Sequence, residues 1–166
     1  KNDIFLYGRK MLFQMLEILY PRRCAVCDEI EVTGKGICPL CKDKVHVAGE
    51  PACKKCGKPL VDERKEFCTD CGKKHHVYTQ GKAVFVYEGG IRNSMYRFKY
   101  GNKREYAEFY ANAAVEKYGV WLNKIKAEVL IPIPMYSRKK RLRGYNQAEV
   151  FARELGRKAG ILVDEH

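Results

Sequence analysis

The chain has 166 residues, 46% of them apolar, and this length suits one or two small domains. It carries 32 Lys and Arg against 20 Asp and Glu, a formal net charge of +12, which favours partners that bear phosphate groups, nucleic acid among them. It contains neither an apolar run of about 18 residues nor the uninterrupted apolar core of a signal peptide. We therefore expect a cytoplasmic protein that does not insert into a membrane.

The composition divides the chain into three parts. Residues 1–20 include apolar side chains at helical spacing from Leu12 to Leu19, which predicts a short amphipathic helix that packs on the domain. Residues 21–75 are rich in cysteine and lysine, whereas residues 82–166 are rich in aromatic and aliphatic side chains. We therefore expect a domain boundary near residues 73–81.

Four cysteine pairs dominate the second part. Each pair has the spacing Cys-x-x-Cys, and 10, 11 and 11 residues separate successive pairs. Two such knuckles about ten residues apart supply four sulfur ligands at tetrahedral corners around Zn²⁺. The pattern predicts a double zinc ribbon that binds two zinc ions. The eight predicted ligands are Cys24, Cys27, Cys38, Cys41, Cys53, Cys56, Cys68 and Cys71.

Other uses of these cysteines fit the pattern less well. A secreted disulfide scaffold needs a signal peptide, and a redox dithiol is expected once rather than four times in series. An iron–sulfur cluster stays open, as does an interleaved pairing of the knuckles beside the sequential pairing that we expect. Because all the ligands are cysteines, neither site keeps a position for a catalytic water, so both sites are expected to be structural. We expect His75 and His76 to be exposed linker residues.

The third part begins with a predicted strand and two predicted helices. In residues 82–88, β-branched and aromatic side chains form an alternating pattern, which predicts a strand. Gly89-Gly90 predicts a turn after it. A short helix that ends near Gly101 follows. Tyr106, Tyr110 and later apolar residues then recur at helical spacing, which predicts a long helix with a bend or break at Gly119. Its aromatic side chains are expected in the core rather than on a base-stacking platform.

The stretch that follows is the most informative part of the sequence. An apolar segment at residues 129–134 leads into a basic loop at residues 138–143, in which five of six residues are Lys or Arg. Asn146 suits a helix N-cap, Glu149 completes a capping box, and Gly160 suits the C-cap. Free backbone N–H groups and a positive helix dipole then lie behind the cations, an arrangement that suits an anionic ligand. The alternative is a basic loop that is simply solvated.

The chain resembles the ComF family, in which a double zinc ribbon precedes a phosphoribosyltransferase-like domain. The resemblance runs from about residue 11 to the end. It implies an α/β fold in which residues 82–166 form the N-terminal portion of a type I phosphoribosyltransferase-like domain with a parallel sheet. The segments that carry it are the four Cys-x-x-Cys pairs, Val86-Tyr87-Glu88-Gly89, Phe98-Lys99-Tyr100-Gly101, Pro132-Ile133-Pro134 and Arg143-Gly144-Tyr145-Asn146-Gln147-Ala148.

The resemblance also implies a site. It puts the first parallel strand at residues 129–133, a pyrophosphate loop directly after it, and the start of the next helix opposite the anion. Phosphoribosyl pyrophosphate or pyrophosphate is the implied ligand. The implied anion-binding residues are Pro134, Met135, Tyr136, Ser137, Arg138, Arg143, Asn146 and Gln147.

The sequence departs from the family in one motif. The acidic, Thr/Gly-rich motif that holds the 5-phosphate and Mg²⁺ should follow residues 161–163, but the chain contains no Asp-Asp pair and no Thr-Thr-Gly. We therefore predict phosphate or pyrophosphate binding, assign no catalytic residue, leave enzymatic activity open and expect Mg²⁺ only in a longer form. The sequence is expected to be truncated or incomplete, with an apolar sheet edge exposed.

Three functions follow from these observations. The resemblance implies a cytoplasmic protein of bacterial natural transformation that associates with incoming single-stranded DNA and an ATP-dependent DNA-uptake motor. Alternatively, the chain is a zinc-ribbon module that binds single-stranded nucleic acid without catalysis, with Lys139, Lys140 and Arg141 as candidate contacts. A third hypothesis is an adaptor whose ribbons dock a motor protein. The sequence specifies neither an acceptor substrate nor an oligomeric state.

Overall fold

The computed structural model describes residues 19–165. The predicted amphipathic helix of residues 1–20 lies almost entirely outside this range. The cysteine-rich part has little regular structure, namely a 3-10 helix at Pro39–Lys44 and helix α1 at Thr69–Lys73. Isolated antiparallel bridges join Arg23 to Ile30 and Ala52 to Pro59. Knuckle turns and bridges of this kind are what a region held by metal ligands needs in place of a large core.

The remaining elements form a helical half with one small sheet. The strands pair in parallel, with Val129 opposite Leu162 and Leu130 opposite Val163. The long helix α3 packs along α5, which forms the crossover between the strands. Within the described residues, no helix has the length and apolarity that crossing a membrane requires. The elements are α2 (Gly89–Tyr100), α3 (Tyr106–Ile125), β1 (Val129–Leu130), α4 (Ser137–Arg143), α5 (Gln147–Ala159) and β2 (Leu162–Val163).

The prediction of a strand at residues 82–88 is wrong. Phe85 forms only an isolated bridge with Val47, and two backbone hydrogen bonds flank it: Ala48 N to Val84 O at 2.9 Å and Val86 N to His46 O at 2.8 Å. The alternating side chains therefore pair with a short segment of the ribbon, not with the sheet. The predicted turn at Gly89-Gly90 is absent as well, because α2 begins directly at Gly89.

The predicted helices are present. Helix α2 ends at the residue before Gly101. Helix α3 continues through Gly119, so the prediction of a break there is wrong. At the start of α5, the Asn146 side chain accepts a hydrogen bond from Ala148 N at 3.0 Å, as an N-cap does. Gly160 ends α5 in the left-handed conformation, with φ of 69°.

The apolar segment after β1 forms a shorter strand than predicted. Pairing stops after Leu130, and the next two isoleucines, Ile131 and Ile133, are 68% and 80% exposed. Pro132 and Pro134 alternate with them and have no N–H to donate to a ladder. The backbone carbonyl of Ile133 instead accepts a hydrogen bond from Asn146 Nδ2 at 3.0 Å, which fixes the end of the segment to the start of α5.

One aromatic cluster forms the core and joins both halves of the chain. Tyr106 and Tyr110 of α3 are buried, as predicted, and Phe85 stacks on Phe109 with ring centroids 5.4 Å apart. Ala25, which lies between two zinc-ligand cysteines, is fully buried in the same cluster. The first knuckle therefore packs inside the helical half.

Helix α5 packs closely on β2, and a glycine makes this possible. A Cβ added at Gly156 would lie 2.6 Å from Ile161 O and 2.7 Å from Val163 Cγ2. We expect Gly156→Ala to lower the free energy of unfolding by about 1–2 kcal/mol, because overpacking costs about 1–3 kcal/mol and improved helix propensity offsets only part of it. Urea unfolding followed by far-UV circular dichroism measures the change.

Gly119 supplies the matched control. An added Cβ there would meet only Val115 Cγ1, at 3.7 Å. We expect Gly119→Ala to raise the free energy of unfolding by about 0.5–1 kcal/mol through helix propensity alone. Equal effects of the two substitutions would contradict the close approach of α5 to β2.

Candidate metal centres and basic surface

The eight cysteines form two separate clusters in the sequential pairing. One cluster holds Cys24, Cys27, Cys38 and Cys41, and the other holds Cys53, Cys56, Cys68 and Cys71, with the four sulfur atoms of each cluster within 4.8 Å of one another. The Sγ atoms of Cys27 and Cys38 are 3.8 Å apart, as are those of Cys56 and Cys68. This distance is the edge of a tetrahedron with Zn–S bonds of about 2.3 Å, and it is far too long for a disulfide. Both sites therefore fit a structural zinc ion.

Backbone amides lower the pKa of one cysteine thiol in each cluster, which favours the thiolate form that binds a metal ion. Burial raises the pKa of Cys24, but hydrogen bonds from backbone amides, including Val26 N at 3.4 Å and Cys38 N at 3.3 Å, lower it to about 7. The pKa of Cys53 is lowered to about 6 in the same way. Burial and the neighbouring thiols raise the pKa of Cys41 to about 12. Four thiolates cannot coexist at this distance without a cation, and zinc supplies it.

The first site is attached firmly to the helical half. Asp28, directly after the second ligand, accepts hydrogen bonds from Lys103 Nζ and Tyr106 Oη, each at 2.7 Å. Arg97 of α2 donates to the backbone carbonyl of Val26 inside the first knuckle. A Cβ at Gly90 would lie 2.7 Å from Val26 Cγ1, so the start of α2 packs directly on this knuckle.

The second site is attached to a single short segment of the chain. Gly81 N donates to Lys55 O at 2.6 Å, and Gln80 Nε2 donates to Lys54 O at 3.2 Å. Gly57, with φ of 75°, packs on the backbone of Ala83. Lys55 Nζ also lies over the Tyr78 ring, 5.1 Å from its centroid. These contacts come from residues 78–83, so the second site is peripheral to the core.

The two linker histidines differ. His75 is exposed, as predicted, but His76 is only half exposed, and its ring centroid lies 5.1 Å from that of Tyr78. His76 Nε2 is buried and has no hydrogen-bond partner among the described residues. Neither histidine belongs to a zinc cluster.

The basic loop predicted at residues 138–143 is a helix, α4, so the loop prediction is wrong. The helix is exposed from Ser137 to Leu142, and Arg143 is half-buried. It follows Pro134, Met135 and Tyr136, of which only Met135 is half-buried. Within the described part of the chain, Arg138, Lys139 and Arg141 form no ion pair, whereas Lys140 Nζ lies 2.9 Å from Glu149 Oε1. Three of its cations are therefore free to meet an anion.

The other predicted anion-binding side chains are committed to internal contacts. Arg143 donates to Tyr100 Oη at 2.9 Å and to Gln147 Oε1 at 3.0 Å. Gln147 Nε2 donates to Lys99 O at 3.3 Å, and Asn146 is 98% buried. These side chains position α4 and the start of α5. Ala148 N at that start is likewise engaged, because it donates to Asn146 Oδ1 at 3.0 Å.

Sequence reasoning missed two exposed tyrosines beside this basic helix. Tyr96 and Tyr100 lie four residues apart on α2, and their ring centroids are 5.0 Å apart. The Arg143 guanidinium lies over the Tyr100 ring at 4.5 Å from its centroid. The i, i+4 spacing of the two tyrosines was the available signal, but their exposure depends on how α2 packs.

Comparison with known families supports the zinc-ribbon prediction for the cysteine-rich part of the chain. Residues 15–72 match the family described as double zinc ribbon domain. No curated protein and no solved structure matches the chain. Together with the two four-cysteine clusters, the match identifies a double zinc ribbon in this region.

The two zinc sites are expected to contribute unequally to folding. We expect Cys24→Ser to remove the first zinc ion and to cause loss of helical circular dichroism, because this knuckle is buried in the core. We expect Cys53→Ser to remove the second zinc ion and to leave α2, α3 and α5 folded. Zinc content by atomic absorption and far-UV circular dichroism of both variants measure this difference. Equal loss of helix in the two variants would contradict it.

Proposed function

We propose that this chain is a ComF-like protein of bacterial DNA uptake, in which the zinc ribbons are joined to a phosphoribosyltransferase-type fold that binds phosphate or pyrophosphate groups. The observation that carries the proposal is the group of unpaired cations on α4, directly after β1 in a parallel β–α–β unit. Open α/β sheets bind ligands at the carboxyl ends of their strands.

The β–α–β unit supports the proposed fold. Its strands pair in parallel over two residue pairs, and α5 crosses between them. Ile131 and Leu162 are 68% and 78% exposed, as the edge of a larger parallel sheet would be without its neighbours. The double zinc ribbon at residues 15–72 is the other part of the resemblance.

The charges of the unit favour an anion and also limit its position. Arg138, Lys139 and Arg141 are exposed, and none of them pairs with a carboxylate in the part of the chain that the structure describes. Glu149 lies in the first turn of α5 and pairs with Lys140, so its carboxylate opposes an anion at that helix start. The proposed seat is therefore on the α4 side, between its cations and the segment from Pro134 to Ser137.

The proposal concerns binding, not turnover. A phosphoribosyl transfer also needs a seat for the 5-phosphate and a metal for the leaving pyrophosphate. No Asp-Asp pair and no Thr-Thr-Gly occurs in the sequence to supply them. We therefore assign no catalytic residue, and phosphoribosyl pyrophosphate is proposed as a ligand only.

Calorimetric titration of the zinc-loaded chain with inorganic pyrophosphate tests the proposal. The variant Arg138→Glu/Lys139→Glu/Arg141→Glu is expected to bind about tenfold or more weakly, because three attractive charges become repulsive. The variant Glu149→Gln is expected to bind a few-fold more tightly, because it releases Lys140 and removes a competing carboxylate.

A matched control keeps the same net charge. Lys65→Glu/Lys124→Glu/Lys126→Glu reverses three exposed cations that lie outside α4 and form no ion pair within residues 19–165. If this control weakens pyrophosphate binding as much as the α4 triple variant does, the effect is one of net charge and the proposed seat is wrong.

A second candidate function is a nucleic-acid-binding module without catalysis. The net charge of +12 and the unpaired cations of α4 favour it. The ribbons would then either add phosphate contacts or dock a motor protein. This function is compatible with the first, since both use the phosphate-binding side chains of α4.

Salt dependence separates a nucleic-acid function of α4 from simple docking. Each phosphate contacted on a single strand contributes about −0.7 to the slope of log affinity against log salt. We expect reversal of Lys139, Lys140 and Arg141 to flatten that slope by about 2 for a labelled oligothymidylate. An unchanged slope would exclude α4 as the contact.

A further inference from the structure

We propose that an exposed row of side chains on α2 and α4 is a stacking site for the unpaired bases of a single-stranded nucleic acid. The row consists of Arg92, Tyr96, Tyr100 and Arg143, and we call it the tyrosine row. The inference rests on the proposed phosphate-binding role of α4, whose last residue, Arg143, belongs to the row. It adds a base-binding subsite to that role.

The two rings of the tyrosine row present aromatic surface to solvent. Tyr96 is 66% exposed and Tyr100 is 58% exposed, whereas Tyr106 and Tyr110 of the neighbouring helix are buried in the core. Residues four apart lie on one face of a helix, and the two rings lie beside each other along α2 with centroids 5.0 Å apart and planes tilted by 46°. Flat, exposed aromatic rings beside one another are what a protein uses to stack successive bases.

Arg143 fixes the inner end of the row. Its guanidinium lies over the Tyr100 ring at 4.5 Å, and its Nη2 donates to Tyr100 Oη at 2.9 Å. A second bond, from Nη1 to Gln147 Oε1 at 3.0 Å, fixes Arg143 itself. The Tyr100 ring is therefore held in place before a ligand binds, which lowers the entropy lost on binding.

Cations flank the rings on both sides. Arg92 lies one helical turn before Tyr96, is exposed and has no ion pair among the described residues. Lys139, four residues before Arg143, lies on the same face of α4, is exposed and forms no ion pair among the described residues. Such a surface attracts a polyanion, and the rings between the cations select one that also carries free aromatic groups.

This combination identifies the class of partner. A DNA duplex offers phosphates, but its bases are stacked inside and do not reach exposed rings. An acidic peptide offers charge but few aromatic faces. A single-stranded nucleic acid offers both at short intervals, and stacking on each aromatic side chain strengthens its binding in a sequence-tolerant way.

Fluorescence anisotropy with the zinc-loaded full chain tests the inference. The probes are a labelled oligothymidylate, an abasic oligonucleotide of equal length and the corresponding duplex. We expect Tyr96→Ala/Tyr100→Ala to weaken oligothymidylate binding by at least about tenfold. The slope of log affinity against log salt should stay unchanged, because no phosphate contact is lost. Abasic and duplex binding should change less than twofold.

Two further variants control for structure. Tyr96→Phe/Tyr100→Phe keeps the rings and should retain most of the oligothymidylate affinity. Tyr20→Ala removes a tyrosine that is 78% exposed and lies outside the row, and it should have no effect. An oligouridylate probe in the same series shows whether RNA binds as DNA does.

Several results would overturn the inference. One is equal weakening of oligothymidylate and abasic binding by the double alanine variant, since this would mean that the rings do not contact bases. Unchanged binding of oligothymidylate by the double alanine variant would also overturn it. So would tighter binding of the duplex or of polyglutamate than of oligothymidylate by the parent chain. Pyrophosphate binding by the single variant Tyr96→Ala, which leaves the Arg143–Tyr100 contact in place, should be unchanged. If pyrophosphate does not bind the parent chain while the tyrosine dependence persists, the proposed function fails and the stacking site stands.

Discussion

The fold depends on coordination of one zinc ion by the first two knuckles, because this metal site is also part of the hydrophobic core. Ala25, between two of the ligands, is fully buried among the core aromatics. Asp28, just after the second ligand, bonds to Lys103 and Tyr106 of the helical half. Zinc fixes the knuckle turn, and the turn carries these contacts. The metal therefore stabilises α2 and α3 as well as the ribbon.

The core in turn determines where the basic surface lies. Three consecutive residues at the end of α2 each contact a side chain of residues 143–147, which run from the end of α4 to the start of α5, and these contacts fix α4 beside α2. Arg143 of α4 and the exposed tyrosines of α2 consequently lie beside one another, and the side chains of the Arg-Gly-Tyr-Asn-Gln segment hold this arrangement together. The three contacts are Tyr145 Oη to Phe98 O, Gln147 Nε2 to Lys99 O and Arg143 Nη2 to Tyr100 Oη.

Local patterns were predictable from the sequence, whereas features set by tertiary pairing were not. Cysteine spacing predicted both metal clusters, and capping residues predicted the bounds of α5, because each depends on neighbours a few residues away. The alternation at residues 82–88 predicted a strand, but its partner lies near Val47, and no local pattern indicates so short a pairing. The exposure of Tyr96 likewise depends on which face of α2 meets the core. The ComF resemblance and the anion seat stay predictions.

The second ribbon begins and ends at nearly the same place. The amide of Ala48 bonds to the carbonyl of Val84 at 2.9 Å, so residues 49–83 leave the body of the protein and return to their starting point. A segment whose two ends lie next to each other can be shortened, replaced or exchanged without a change in the path of the remaining chain. The two zinc modules are therefore free to evolve at different rates, one constrained by the core and the other open to acquiring new partners.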